Sequence, residues 1–216
     1  MKRKRTALCR SIAGLSCLCV FACACAARHA VVIKGTPRAV IVFPGEYAAG
    51  RRAAREAAEL LAGVLAEMTG ATIPTVGEDQ LAGIAAADGA IAIGEKRPAA
   101  LPDRIETFIL VGEGRLAKGL PITGKALPAG GVRIRTAGNA IALVGSPAAS
   151  DPDSTRHAVY TFLETLGCRQ LWPGRTGRIV PKQKPLRVGA LDRAYQPPIK
   201  QRHLRFSGIR DRAMTG

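Results

Sequence analysis

Apolar residues fall along this chain in two rhythms, and each predicts a different kind of element. Val40-Ile41-Val42-Phe43 is an unbroken apolar run closed by Pro44-Gly45, which predicts a buried strand. From Tyr47 to Thr69 the rhythm changes: Ala57, Leu60, Leu61, Val64, Leu65 and Met68 recur at helical spacing, with Arg52, Arg55, Glu56 and Glu59 on the other face as i,i+4 pairs. Gly70 supplies the C-terminal stop. Such a stripe is core packing rather than a cofactor site.

Short apolar runs bounded by Gly or Pro come next. Ala71-Thr72-Ile73-Pro74, Ala90-Ile91-Ala92-Ile93-Gly94 and Thr107-Phe108-Ile109-Leu110-Val111 are expected as strands of one sheet. Val132-Arg133-Ile134-Arg135 alternates, and Ile141-Ala142-Leu143-Val144 follows a Gly138-Asn139 turn, so the two are expected to pair as an antiparallel hairpin with one face buried. Val159, Phe162, Leu163 and Leu166 mark a second helix, capped by Asp151 or Asp153 and ended by Gly167. After Trp172 the chain is turn-rich, with extended pieces at Arg178 to Val180 and Pro185 to Val188. This order predicts an α/β (α+β) two-layer sandwich: a mixed, mostly antiparallel sheet with two main helices on one face, over residues 36–190. Residues 191–216, with Pro197-Pro198 and five cations between Lys200 and Arg212, carry no such rhythm and are expected to be a linker or the opening of another domain.

The first 27 residues change the picture. Lys2, Arg3, Lys4, Arg5 and Arg10 precede the apolar stretch Ile12 to Ala24, and Ala22-Cys23-Ala24 and Ala24-Cys25-Ala26 offer small-residue cleavage sites, so Met1 to Ala27 reads as an export signal too short to span a bilayer. Val20-Phe21-Ala22-Cys23 also resembles the cleavage box of bacterial lipoproteins, which makes Cys23 a candidate lipidation site beside the simpler reading of cleavage alone. The expected location is periplasmic, extracellular or lipid-anchored, with membrane contact only through that anchor. Five of the six cysteines lie in this leader, so the remaining domain keeps only Cys168 and has no internal disulfide.

Charge excludes less than it suggests. Without the five leader cations the formal +16 is still +11, enough to attract polyanions at low salt. Yet aromatic residues make up only 4% of the chain, and no Phe- or Tyr-rich strand is present for stacking bases, so a specific nucleic-acid partner is not expected.

One ordered set of motifs is recognisable. Thr155-Arg156-His157-Ala158-Val159-Tyr160-Thr161-Phe162-Leu163-Glu164, Gly167-Cys168-Arg169, Trp172-Pro173-Gly174 and Gly177-Arg178-Ile179-Val180-Pro181-Lys182 resemble the N-terminal, non-catalytic domain of bacterial α-glucuronidases and the similar domain of β-N-acetylhexosaminidases. Glu67-Met68-Thr69-Gly70 before Ile73-Pro74, the strand Ile91-Ala92-Ile93-Gly94-Glu95 and the Gly138-Asn139 hairpin agree in order, so the resemblance covers roughly residues 36 to 206. Similar sequences carry Gly where Ser154 stands and Trp where Gln170 stands. The resemblance implies a following (β/α)8 barrel of about 250 residues that bears the catalytic carboxylates. Tyr195 to Arg205 resembles the lead into that barrel, which this chain does not contain. It thus implies an accessory domain in carbohydrate metabolism that packs against a catalytic barrel, the alternative being a stand-alone carbohydrate- or polyanion-binding module.

Catalytic readings of the chain itself are poorer. Glycoside hydrolysis needs two carboxyl groups flanking the scissile bond, and Glu56, Glu59, Glu67, Glu78, Asp79, Asp88 and Glu113 lie on a helix surface or in polar turns. Gly119 to Ala126 nearly matches a phosphate-binding loop, but Ala126 offers no magnesium ligand and Pro121 removes a backbone donor. Asp151, Asp153, Ser154 and His157 are read as helix-start caps rather than a triad. No metal or cofactor is expected, because His157 and His203 stand alone and no zinc-binding run exists. Cys168 beside Arg169 is either an activated thiol or, as we expect, a buried one. Arg169 and Trp172 are the candidate carbohydrate or domain-interface contacts: a guanidinium can grip a carboxylate and an indole can stack on a sugar ring. The alternative is that both pin the helix to the sheet or to the barrel.

Overall fold

A computed structural model of the chain describes residues 29–46, 50–94, 97–99, 101–122, 127–146 and 154–196. Strands β1 (His29–Ile33), β2 (Thr36–Pro37) and β3 (Ala39–Phe43) precede the long helix α1 (Arg51–Thr69). β4 (Thr75–Gly77), β5 (Ile84–Ala87), β6 (Ala90–Ile93) and β7 (Thr107–Val111) follow, then a single-turn helix α2 (Arg115–Lys118). The hairpin β8 (Val132–Ala137) and β9 (Ala140–Gly145) leads to α3 (Ser154–Thr165). Four short strands complete the unit: β10 (Arg169–Gln170), β11 (Arg178–Ile179), β12 (Leu186–Val188) and β13 (Asp192–Tyr195).

A six-stranded sheet in the order β13-β8-β9-β7-β3-β4 carries the architecture. Helices α1 and α3 lie together on one of its faces, joined by an Arg156 Nη2 to Glu56 Oε2 bond of 3.0 Å. Leu61, Leu65, Met68, Val159 and Phe162 bury there against Ile41, Ile109, Ile134 and Leu143. This is the two-layer sandwich with a mixed sheet that the apolar rhythms predict. In this sheet three of the five ladders are parallel, β3 with β4, β3 with β7 and β7 with β9, and they form one block running from the β4 edge to β9; β8 and β13 add antiparallel on the other side. Helix α1 makes the first of these parallel ladders by crossing over from β3 to β4, as parallel neighbours require. It closes at Gly70, whose left-handed φ of 74° lets its N–H return to Ala66 O at 2.7 Å.

The second face of the sheet is covered too, and this corrects several expectations. Val40, Val42, Phe108, Leu110, Ala142 and Val144 pack under Leu81, Ile84, Ile91, Leu116, Leu120 and Ile122. Strands β3, β7 and β9 are therefore buried on both sides, whereas in β8 only Val132 and Ile134 are buried and Arg133 and Arg135 are not. The run at Ala90 is not in the main sheet: β6 pairs only with β5, in a separate hairpin. Asn139 fastens that hairpin, accepting from Ile91 N at 2.8 Å and donating to Ile91 O at 2.9 Å. Ala71 to Pro74 is no strand but the loop before β4, although Pro74 O still accepts from Ile41 N at 2.9 Å.

Described strands extend past the expected 36–190 span on both sides. Val31 and Val32 of β1 enter the helix-side core and β1 pairs antiparallel with β12. Residues Asp192–Tyr195, expected in a linker or the opening of another domain, form the edge strand β13 beside β8. The leader with Cys23, the caps Asp151 and Asp153, His203 and residues 123–126 of the phosphate-loop look-alike lie outside the described residues. No described helix is long and apolar enough to cross a membrane.

Candidate functional site

The corner that follows α3 is assembled from backbone-satisfying contacts. Gly167, at φ +91°, turns the chain, and the N–H groups of Gly167 and Cys168 return to Glu164 O at 3.1 Å and Leu163 O at 3.0 Å. Arg169 then reaches back: its Nη1 donates to Glu164 O at 2.8 Å and to Cys168 O at 2.6 Å. Carbonyls at a helix C-terminus lack intrahelical donors and carry partial negative charge, so a guanidinium suits them. Arg169 Nη1 is thus engaged at the end of its own helix, in a bond to neither the sheet nor another domain.

Trp172 sits on the loop joining β10 to β11, which pair as Arg169 with Ile179 and Gln170 with Arg178. Gln170 organises this loop: its Nε2 donates to Trp172 O at 2.6 Å and to Gly174 O at 3.1 Å. Leu171 N reaches Gly177 O at 2.8 Å, and a Cβ on Gly177 would run into the Trp172 backbone. The indole is half-exposed, and its Nε1 donates to Thr176 Oγ1 at 3.2 Å. Its ring is therefore held by its polar edge.

Beyond β11 the chain ties the two helices at their C-terminal ends. Arg178 Nη2 pairs with Glu67 Oε2 at 2.7 Å and Lys182 Nζ donates to Glu67 O at 2.6 Å. Gln183 bonds both helices, its N–H to Met68 O at 3.1 Å and its Nε2 to Leu166 O at 3.0 Å. Between this strap, β10 and the helices lies a concavity of about 720 Å³, lined by Val64, Tyr160, Leu163, Arg169, Ile179 and Val180 among others. Arg169 lines it and Trp172 does not. A second concavity of about 770 Å³ opens on the other side of Tyr160, between α3 and β13.

Little chemistry is arranged in these hollows. Glu59 and Glu67 are half-exposed and paired with Arg55 at 2.8 Å and Arg178 at 2.7 Å. Cys168 is buried, and burial pushes its thiol up, with Arg178 the largest opposing influence. A thiolate nucleophile is not favoured there, as expected of a buried cysteine. Ser154 is fully buried at the start of α3, against Gly145, and cannot present a nucleophile to solvent. Leu120 and Ile122 of the phosphate-loop look-alike are buried in the second core. Among the described residues no three His, Cys, Asp or Glu side chains gather as metal ligands do.

Tyr160, Leu171, Ile179 and Tyr195 are large, apolar and exposed, and none stood out in the sequence. Tyr160 carried the one usable signal, since it lies off the Val159, Phe162, Leu163 and Leu166 stripe of its own helix. Neither a family model nor a curated protein matches the chain.

Proposed function

We propose that this chain is a non-catalytic accessory domain of a secreted glycoside-hydrolase-like protein, whose helix-to-tryptophan corner packs against a catalytic barrel and positions it. One observation carries this reading: Arg169 Nη1, Gln170 Nε2 and Trp172 Nε1 all donate within the corner, while Tyr160, Leu171, Trp172 and Ile179 stay exposed around it. A surface that satisfies its hydrogen bonds and leaves aromatic side chains bare suits a dry contact with another domain better than catalysis. The ordered motifs from Thr155 to Lys182 supply the glycoside-hydrolase part of the proposal. The reading frame after Gly216 tests it. A frame that continues into alternating strands and helices with paired carboxylates supports the accessory role; a stop followed by an unrelated gene overturns it.

A free carbohydrate-binding module is the second reading, favoured by the Trp172 ring, which is held at Nε1 and half-exposed. Titration with acidic oligosaccharides at physiological salt separates the two. Affinity that survives salt and is lost in Trp172→Ala supports the module. Binding that fades with salt whatever the polymer reports only the net positive charge.

A further inference from the structure

The two edges of the main sheet are finished differently. At one end β4 is short, and Val76 and Gly77 are buried. At the other end β13 is exposed at all four residues and pairs with β8 over four consecutive positions without a bulge. No proline and no further strand protects that edge among the described residues. An open, regular edge offers unpaired backbone groups to another strand.

Which groups are offered follows from the register. Thr136 N donates to Leu191 O at 2.9 Å, so position 191 faces β8 with its backbone. Antiparallel pairs alternate. Arg193 and Tyr195 therefore also turn their backbone toward β8, while Asp192, Ala194 and Gln196 turn theirs outward. Side chains alternate as well. Arg193 and Tyr195 lie opposite Ile134 and Val132, which belong to the helix-side core, so they stand on the helix face, beside the hollow lined by His157, Tyr160 and Glu164. Asp192 is on the other face and is already neutralised by Arg133 at 3.0 Å and Arg135 at 3.5 Å. Arg193 makes no ion pair among the described residues, and Tyr195 is half-exposed.

We propose that β13 pairs antiparallel with β13 of a second copy of this chain, centred on Ala194, so that two sheets become one across a twofold axis. Only outward-facing residues can exchange hydrogen bonds across the new ladder, which limits the registers. Centring on Arg193 would set two guanidiniums face to face. Centring on Ala194 instead sets Arg193 of each copy directly opposite Tyr195 of the other, in the close, non-hydrogen-bonded kind of pair. There the cation meets an aromatic face. Asp192 meets Gln196, and no like charges are opposed. The hollow between α3 and β13 then lies beside the new strand, which puts Tyr160 next to the interface. This association is independent of the proposed contact between the corner and a barrel.

Light scattering on the full chain during gel filtration, in reducing buffer so that cysteine cross-links do not contribute, tests the pairing. The expected mass is that of a dimer at micromolar concentration. A194P removes an N–H that faces away from β8 and should halve the mass while leaving the circular dichroism and melting of the monomer unchanged. Y195R sets Arg against Arg twice and should weaken association at least about tenfold. R193E combined with Y195R sets opposite charges across the axis and should restore it. A wild-type monomer at about 100 µM, well above the range of specific association, overturns the proposal. So does a dimer indifferent to both A194P and Y195R, or a Y195R defect that the double variant fails to rescue. If A194P unfolds, the Y195R and double-variant pair still decides. A monomer that instead captures another protein's strand at this edge also overturns the second copy as occupant.

Discussion

Arg169→Met should lower stability rather than abolish binding, and the size of the loss can be worked from two distances. The guanidinium Nη1 lies 2.8 Å from Glu164 O and 2.6 Å from Cys168 O. Hydrogen bonds from a charged donor contribute about 1.5–3 kcal/mol each when buried. Here the side chain is exposed and water can replace it, so about 0.5–1 kcal/mol for each bond is the fairer figure. The cation at the α3 C-terminus adds about 0.3–1 kcal/mol. The sum, about 1.5–3 kcal/mol, corresponds to a fall of roughly 3–12 °C in melting temperature at about 2–4 °C per kcal/mol. Methionine keeps the length of the stem, so packing changes little, and Arg169→Lys should recover part of the loss through one remaining ammonium. Thermal unfolding followed by circular dichroism reads all three. A Met variant that melts within about 1 °C of wild type but no longer binds acidic sugars would refute the helix-clamp assignment and make Arg169 a ligand residue.

Phe162→Ala empties a fully buried site between α3 and the sheet and should cost about 3–5 kcal/mol in urea unfolding. Glu78→Ala should expose the amides of Arg115 and Leu116, each held by a Glu78 carboxylate oxygen at 2.9 Å, and speed their hydrogen exchange about 5- to 30-fold, whereas distant amides stay protected. His29 is buried, and burial holds its imidazole below the ordinary value of about 6.5. Below that pH the unfolded chain takes up a proton that the folded chain resists, so stability due to His29 is complete above it and declines as pH falls. His29→Gln should flatten the fall in melting temperature between about pH 7 and pH 5; an unchanged slope would remove His29 as its source.

Legibility followed the number of neighbours an element needs. Helix α1 was readable because its stripe and its Gly70 stop are local, and so was the β8–β9 turn at Gly138-Asn139. What rested on distant partners was not. The Ala90 run has a strand's composition, but whether it joins the main sheet depends on Asn139, forty-eight residues later. β13 reads as polar because its exposed edge carries Asp192 and Arg193, and only pairing with β8 makes it a strand. At the corner, Arg169 and Trp172 were visible as chemistry. The loop that carries Trp172 depends on Gln170 and Gly177, whose roles involve backbone oxygens that no residue pattern displays.

The pairing of β1 with β12 has a consequence for synthesis. Translation proceeds from the N-terminus, so His29–Ile33 emerges before its antiparallel partner Leu186–Val188, which follows about 150 residues later. At about 5–20 residues per second the first strand waits roughly 8–30 s for that partner. Val31 and Val32 are fully buried in the finished domain, so for that interval they are bare apolar side chains on a growing chain. A nascent protein in this position depends on whatever shields its first strand until its last ones arrive.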